Sequence, residues 1–196
     1  MLQSLPAQRR EEVLYNSSRR YTSFVDLEFF DRLTHLSEAV QVSYSMRFAR
    51  DISVNDLKSS NVILSGSQDA DPWIELFEPQ MNFVLRDDLA HGIRSFWNRR
   101  PHSGERNDYV VKQDEYGVLA YLPNLSRTGN VLIVEGTSVA GTQAISDFLF
   151  SGNSLDSFLR TIARKDGSMP HFEILLKSRP LEGSASGSQI VAFRTY

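Results

Sequence analysis

Two glycine-containing turns carry polar side chains that could bind a ligand. Each follows a short apolar run, "NVIL" in the first case and "NVLIV" in the second, and each precedes a predicted helix. Glycine lets the backbone approach a ligand closely, and a helix N-terminus presents free N–H groups. The candidate ligand-binding residues of the two turns are Ser65, Gly66, Ser67 and Asp69, and Glu135, Gly136, Thr137 and Thr142.

The second turn has the glycine spacing of a phosphate-binding P-loop but lacks its lysine. Gly136 and Gly141 form G-x-x-x-x-G, and Thr142-Gln143 stands where Lys-Ser/Thr is required. Without that lysine no side chain reaches the terminal phosphates, which excludes nucleotide hydrolysis of this type. Two interpretations stay open. The turns either bind a small anionic metabolite or nucleotide through backbone N–H groups, or they only connect strands to helices.

An arginine-rich connection, "NRRPHSGERNDY", provides a third group of candidates. Arg99 and Arg106 could clamp a carboxylate or phosphate, with Glu105 beside them. The alternative is a solvated surface loop with internal Arg–Glu pairs. Both interpretations place charged side chains on a loop, where binding residues are common.

No catalytic residue is assigned from the sequence, and no metal site or cofactor is expected. Asp71 precedes Pro72 as a helix cap, and Glu75 and Glu78 suit the early turns of the helix that follows. The four histidines are scattered, and no G-x-S-x-G nucleophile motif occurs. An enzyme acting on a nucleotide or sugar is the alternative function, with Glu135 or Glu105 as general base or nucleophile.

Composition narrows the classes of partner. The 196 residues are 41% hydrophobic, carry a formal net charge of −3 and include no cysteine, which excludes disulfides and thiolate metal sites. The charge does not indicate direct nucleic-acid contact. No apolar run approaches the ~20 residues of a membrane span, and the first residues lack a signal-peptide pattern. We therefore expect no membrane association and a cytoplasmic location.

Hydrophobic patterning predicts the elements that position these residues. Residues 1–22 are interpreted as a linker or N-terminal extension, and residues 23–196 as a single α/β domain. Apolar residues at three-residue steps predict a helix over "FVDLEFFDRLTHLSEAV", and alternation predicts a strand in "QVSYSMRF". "NVILSG" is predicted to be a strand buried on both faces. The remaining predicted strands are "MNFVLRDD", two in "DYVVKQDEYGVLAYLPN", "NVLIVEG", "HFEILLKSRP" and "SQIVAFRTY", with an irregular connection at "LAHGIRSFWNRRPHSGERN" and helices at "DPWIELFEPQ", "GTQAISDFLF" and "SLDSFLRTIARK".

These elements predict a three-layer Rossmann-like fold: a mixed sheet with helices on both faces and a C-terminal antiparallel hairpin at its edge. If the strands before the two glycine turns run parallel and adjacent, both turns lie on one rim of the sheet, where ligands of α/β proteins usually bind.

Three blocks of sequence carry a resemblance to a known family: "ILSGSQDADPWIELFE", "RRPHSGERNDY" and "LPNLSRTGNVLIVEGTSVAGTQA". From about Tyr21 to Arg194 the chain resembles the uncharacterised C-terminal sensor or effector domain of bacterial, Acidobacteria-type winged-helix or helix-turn-helix transcription regulators. In that family Asn usually precedes Pro-Trp, where Asp71 stands here. The resemblance implies a non-catalytic domain that senses a ligand or binds a protein. A homodimer formed by strand addition at the hairpin edge is a further interpretation.

Overall fold

A computed structural model describes residues 22–68, 70–88, 91–181 and 184–196, with the side chains of residues 180, 181 and 184–186 left out. The predicted linker lies outside the described residues except for Thr22, and Asp69 also lies outside them.

The described residues form helices, short 3₁₀ turns and strands. The helices are α1 (Phe24–Ala39), α2 (Val54–Ser59), α3 (Val139–Phe150) and α4 (Ser154–Ile162). The 3₁₀ turns are Ala49–Asp51, Pro72–Leu76 and Glu78–Gln80. The strands are β1 (Val62–Ser65), β2 (Phe83–Asp88), β3 (Ile93–Asn98), β4 (Asp108–Val110), β5 (Glu115–Pro123), β6 (Asn130–Gly136), β7 (Phe172–Leu181) and β8 (Ser184–Thr195).

The strands form two sheets. A five-stranded mixed sheet has the order β1-β6-β5-β7-β8, with β1 and β6 parallel and the other neighbours antiparallel. A three-stranded antiparallel sheet has the order β2-β3-β4. The predicted α/β class and mixed sheet are confirmed, and so is the C-terminal hairpin, because β7 pairs with β8 and β8 is the outermost strand.

Each face of the five-stranded sheet buries its own apolar core. On one face α3 packs against β5 to β8, and α1 and α4 pack against α3. The residues buried there are Phe29, Leu119, Val134, Ile145, Phe148, Phe158, Phe172, Ile174 and Leu176. A second core lies between the two sheets and includes Val84 and Phe96 of the small sheet and Val118 and Ile133 of the large one.

The second face is therefore covered mainly by the small sheet, and a Rossmann-like arrangement with helices on both faces is not what the structure shows. The short helix α2 contributes Leu57 to this core. The difference arises at β3, a strand formed by part of the connection predicted to be irregular. Once β3 pairs with β2 and β4, a sheet occupies the position expected for helices.

Three further expectations about local structure are wrong. The "QVSYSMRF" segment contains no strand, and Val42, Tyr44 and Met46 are exposed. On α1 the buried residues are Val25 and Phe29. The apolar residues at three-residue steps were expected to face the core, but Phe24, Leu27 and Leu36 among them are exposed. Steps of three residues fall behind the 3.6-residue helical turn, so such a stripe rotates away from the core. Strand β1 lies at the sheet edge, and Ile63 is exposed.

Helix α3 approaches the sheet closely because Gly117, Gly136 and Gly141 lack side chains. A Cβ on Gly117 would lie 2.5 Å from the carbonyl oxygen of Gly141, and a Cβ on Gly141 would overlap the carbonyl oxygen of Tyr116. A Cβ on Gly136 would overlap the backbone nitrogen of Thr142. These glycines set the distance between helix and sheet.

We expect Gly141→Ala to lower the free energy of unfolding by about 2 kcal/mol or more, because the added methyl group pushes α3 away from β5. Urea unfolding monitored by circular dichroism measures the change. Gly152→Ala is the matched control, since no atom lies within 4 Å of the added Cβ. Equal losses in the two variants would contradict the packing role of Gly141.

Candidate functional site

The two glycine turns lie side by side, which fulfils the condition for a shared rim. Strands β1 and β6 are parallel neighbours, with Ser65 opposite Val134. The Gly66 N–H donates to the carbonyl oxygen of Val134 at 3.0 Å. Gly66 has a φ of +122°, a backbone conformation that favours glycine. Both turns therefore share the rim at the carboxyl ends of the parallel strands.

The hydrogen-bond donors of Thr137 and Thr142 in the second turn bind acceptors of the same chain. The Thr137 N–H donates to Tyr116 O at 2.9 Å, and its hydroxyl donates to Glu115 Oε2 at 2.6 Å. The Thr142 N–H donates to Ser138 O at 3.1 Å, and its hydroxyl reaches the same carbonyl at 3.3 Å. The donors that Thr137 and Thr142 were expected to offer an anion thus have acceptors within the chain.

The first turn is also held by internal contacts. The Ser65 hydroxyl donates to Asp26 Oδ1 at 3.0 Å. The carbonyl oxygen of Ser67 accepts from the N–H groups of Ala70 and Asp71 at 2.9 and 2.8 Å. Asp71 caps the following 3₁₀ turn, with Oδ1 accepting from Trp73 N–H at 3.2 Å. The capping role predicted for Asp71 is confirmed, although the turn is 3₁₀ rather than α-helical.

A buried carboxylate distinguishes this rim. Glu135 is 0% exposed, and neither of its carboxylate oxygens has a hydrogen-bond partner in the described part of the chain. Burial, with smaller contributions from the negative charges of Glu78 and Asp71, raises the pKa of Glu135 to about 8, while Arg94 and the backbone N–H of Gln68 act in the opposite direction. Glu135 is therefore protonated at neutral pH. The negative charges of Glu78 and Asp71 beside it disfavour an anion.

Arg99 joins two structural segments and is not free to clamp a ligand. Its Nη1 donates to the carbonyl oxygens of Glu78 at 2.8 Å and Met81 at 3.3 Å. Its guanidinium carbon also lies 5.5 Å from the centre of the Trp97 ring. Arg99 thereby fixes the loop after β3 to the 3₁₀ turn that carries Glu78.

Glu105 lies away from the rim, near β8 at the opposite edge of the large sheet. Its oxygens accept from the two terminal nitrogens of Arg194, at 2.9 Å for Nη1 and 2.5 Å for Nη2. Arg194 belongs to β8, three strands from β6, a lateral separation of about 14 Å at the usual strand spacing. The hydrogen bonds from Arg194 hold the pKa of Glu105 at about 2. Arg106 lines a small cavity of about 190 Å³ together with Glu105. The structure thus separates these two residues from the glycine turns.

A buried polar network that the sequence analysis missed joins the two sheets. Glu173 is 0% exposed and accepts the N–H groups of Asn82 and Phe83, each at 2.8–2.9 Å, and the hydroxyl of Tyr196. Arg194 continues the network to Asn98 Oδ1 at 3.2 Å. Sequence patterning gave no signal for it, because its members lie on strands far apart in the chain.

A groove of about 400 Å³ runs along β8. It is lined by residues 190–195 of that strand and by His102 and Glu105 of the loop after β3. Two of the lining residues, Arg194 and Glu105, form an ion pair with each other. Phe193 is exposed at 44% and packs its ring edge-on against Phe158 of α4. The groove is thus bounded by a strand edge and not by the glycine turns.

The outer edge of β8 offers unpaired backbone groups. In antiparallel strands alternate residues bond to the same neighbour. Because Tyr196 N–H donates to His171 O at 2.8 Å, Arg194 also faces β7, and Phe193 and Thr195 face away from it. Within the described ranges no hydrogen bond occupies either outward N–H group. The carbonyl oxygen of Phe193 accepts from Arg194 Nη1 at 2.6 Å.

Comparisons with known proteins found no matching family model, no matching curated protein and no matching solved structure. Among the described residues, no group of three or more His, Cys, Asp or Glu side chains is arranged to hold a metal ion. Nor does this part of the chain contain a helix long and apolar enough to cross a membrane.

Proposed function

We propose that this chain is a non-catalytic protein-interaction domain that forms a homodimer by pairing β8 with β8 of a second copy. The observation that carries the proposal is the outer edge of β8: a 12-residue strand with an uncharged stretch, Ser188–Phe193, and outward N–H groups beside a groove of about 400 Å³. Such an edge is a template for adding another strand.

The other described sheet edges are protected. Strand β1 has four residues and β4 has three, too few for a stable added pair. Strand β2 ends in Arg86, Asp87 and Asp88, and edge charges oppose pairing. Strand β8 has 12 residues, and its Ser188–Phe193 stretch contains no charged residue. Of these four edges, β8 alone combines length with an uncharged six-residue stretch.

A second copy suits this edge better than an unrelated partner. In a two-fold dimer the same strand occurs on both sides and pairs antiparallel with itself. The uncharged Ser188–Phe193 stretch then meets an identical stretch without charge repulsion. The resemblance to bacterial regulators supports the same choice, because helix-turn-helix modules bind two half-sites as dimers.

The contacts of the two candidate glutamates favour a non-catalytic role over the enzyme alternative. Glu105 is bound by Arg194, and its pKa of about 2 makes it a weak base. Glu135 carries a proton at neutral pH, so it lacks the deprotonated form that a general base needs. The anionic ligand expected at the glycine turns is likewise opposed by the carboxyl groups there.

Thr195→Pro is expected to abolish dimer formation, because proline removes an outward N–H group and its ring blocks the strand edge. Thr195→Val is the matched control: it keeps the N–H and suits a strand. The molar mass of each variant is measured by light scattering, with circular dichroism as the check on folding. A dimeric Thr195→Pro variant with a native spectrum would contradict pairing at β8.

A further inference from the structure

We propose that the rim between the Gly66 turn and the end of β6 binds a small monovalent cation of the ammonium or alkylammonium class, with Glu135 as its counter-charge. This site is separate from the β8 edge, and the proposed dimer does not depend on it.

The unpartnered carboxyl group of Glu135 is the primary observation. Buried carboxyl oxygens nearly always have a hydrogen-bond partner, and both oxygens of Glu135 lack one within the described residues. The group lies on the face of β6 that packs between the two sheets, with Val118 opposite it on β5. An ammonium group placed there would donate to both oxygens and remove the deficit.

The charges facing Glu135 favour a cation. Asp71, which is 7% exposed, and the half-buried Glu78 lie close enough for their negative charges to raise the pKa of Glu135. The positive group facing it is Arg94 of β3, whose Nη1 donates to Thr137 O at 3.1 Å and which pairs with Asp87. The backbone N–H of Gln68 lies close enough to lower the pKa of Glu135 but is not in hydrogen-bond geometry with either oxygen, and the Gln68 side chain donates to Glu78.

Position and chemistry limit the ligand to a small monovalent cation. The site lies at the carboxyl ends of the parallel strands β1 and β6, the usual ligand position in such sheets. No arrangement of three or more metal-ligating side chains exists in the described residues, so a divalent ion lacks its ligand set. One positive charge is sufficient to replace the one proton that Glu135 carries.

Cation binding and proton release are therefore coupled. Because Glu135 is protonated below pH 8, the cation must displace its proton. The apparent affinity should rise about tenfold for each pH unit from neutrality toward pH 8 and level off above it. An exposed carboxylate with an ordinary pKa would bind cations with no pH dependence in this range.

The test compares ammonium chloride with tetramethylammonium chloride at equal ionic strength, using the bulky cation as the control for salt effects. For the wild-type chain we expect ammonium to raise the thermal unfolding midpoint more than tetramethylammonium, with a larger difference at pH 8 than at pH 6. A pH indicator in weak buffer should record proton release on addition of ammonium.

Glu135→Gln should abolish both the ammonium-specific shift and the proton release, because the amide cannot supply the negative charge. Glu75→Gln, at an exposed glutamate on the neighbouring 3₁₀ turn, should leave both unchanged. Equal midpoints in the two salts for the wild-type chain would overturn the proposal. An ammonium-specific shift that persists in Glu135→Gln would also overturn it.

Discussion

Replacing Arg194 with methionine is expected to lower the free energy of unfolding by about 3 kcal/mol, since the buried ion pair with Glu105 loses one partner. Arg194 is 7% exposed and also donates to Asn98 Oδ1 and Arg100 O. Methionine fills much of the volume but removes the donor to Arg100 O and leaves Asn98 Oδ1 with only Asn82 Nδ2, which donates to it at 2.8 Å. Urea unfolding at neutral pH measures the loss.

Arg179→Met is the matched control, because Arg179 pairs with Asp114 through a side chain that is 69% exposed. Exposed ion pairs contribute less than about 1 kcal/mol.

Arg194 also holds the pKa of Glu105 below its usual value, at about 2. The pair therefore stabilises the fold above pH 4.5, and this contribution is lost as pH falls toward 2. The Arg194→Met variant should lose that acid sensitivity. Similar losses in both variants would contradict a structural role for the network.

Glu135→Gln is expected to remove most of the loss of stability that the wild type undergoes between pH 5 and pH 8. We expect this loss to be on the order of several kcal/mol, so the variant should be the more stable protein at pH 8. The folded chain raises the pKa of Glu135 from 4.5 to about 8. Between these values the unfolded chain has released the proton and the folded chain still holds it. Wild-type stability therefore falls as pH rises from 4.5 to 8, and glutamine removes this dependence.

Urea unfolding at a series of pH values from 5 to 9 measures the effect, in a buffer free of ammonium and other amines. Glu75→Gln provides the comparison at an exposed glutamate. Asp71, whose pKa burial raises to about 6, adds a slope of the same sign at lower pH and is common to all three proteins. If the free energy of unfolding of the wild type and of Glu135→Gln changed equally with pH above pH 6, the fold would not raise the pKa of Glu135.

Local patterns predicted many of the elements because their signals lie within a few residues. The apolar run of β6, helix α3 and the Asp71 cap each depend on neighbouring side chains, and the structure has all three. The parallel pairing of β1 with β6 was only a condition for the shared rim, because sequence patterning does not encode which strands become neighbours, and the structure fulfils it.

Tertiary contacts account for what the sequence did not reveal. Strand β3 lies in a segment whose sequence predicts an irregular connection, because Arg94 and Asn98 interrupt its apolar pattern. Both side chains have hydrogen-bond partners on distant segments, Thr137 O for Arg94 and Arg194 for Asn98. The network around Glu173 and Arg194 joins residues about 90 positions apart, and no local spacing encodes it. Glu135 was a candidate from its position after a strand, but its missing partners follow only from packing.

The molar mass of the unmodified chain in solution tests the pairing at β8 most directly. The chain has a mass of 22.3 kDa, and light scattering over a range of concentrations distinguishes one copy from two. We predict a mass of twice 22.3 kDa at high concentration, with Thr195→Pro at 22.3 kDa under the same conditions. A wild-type mass of 22.3 kDa at every concentration would contradict the dimer.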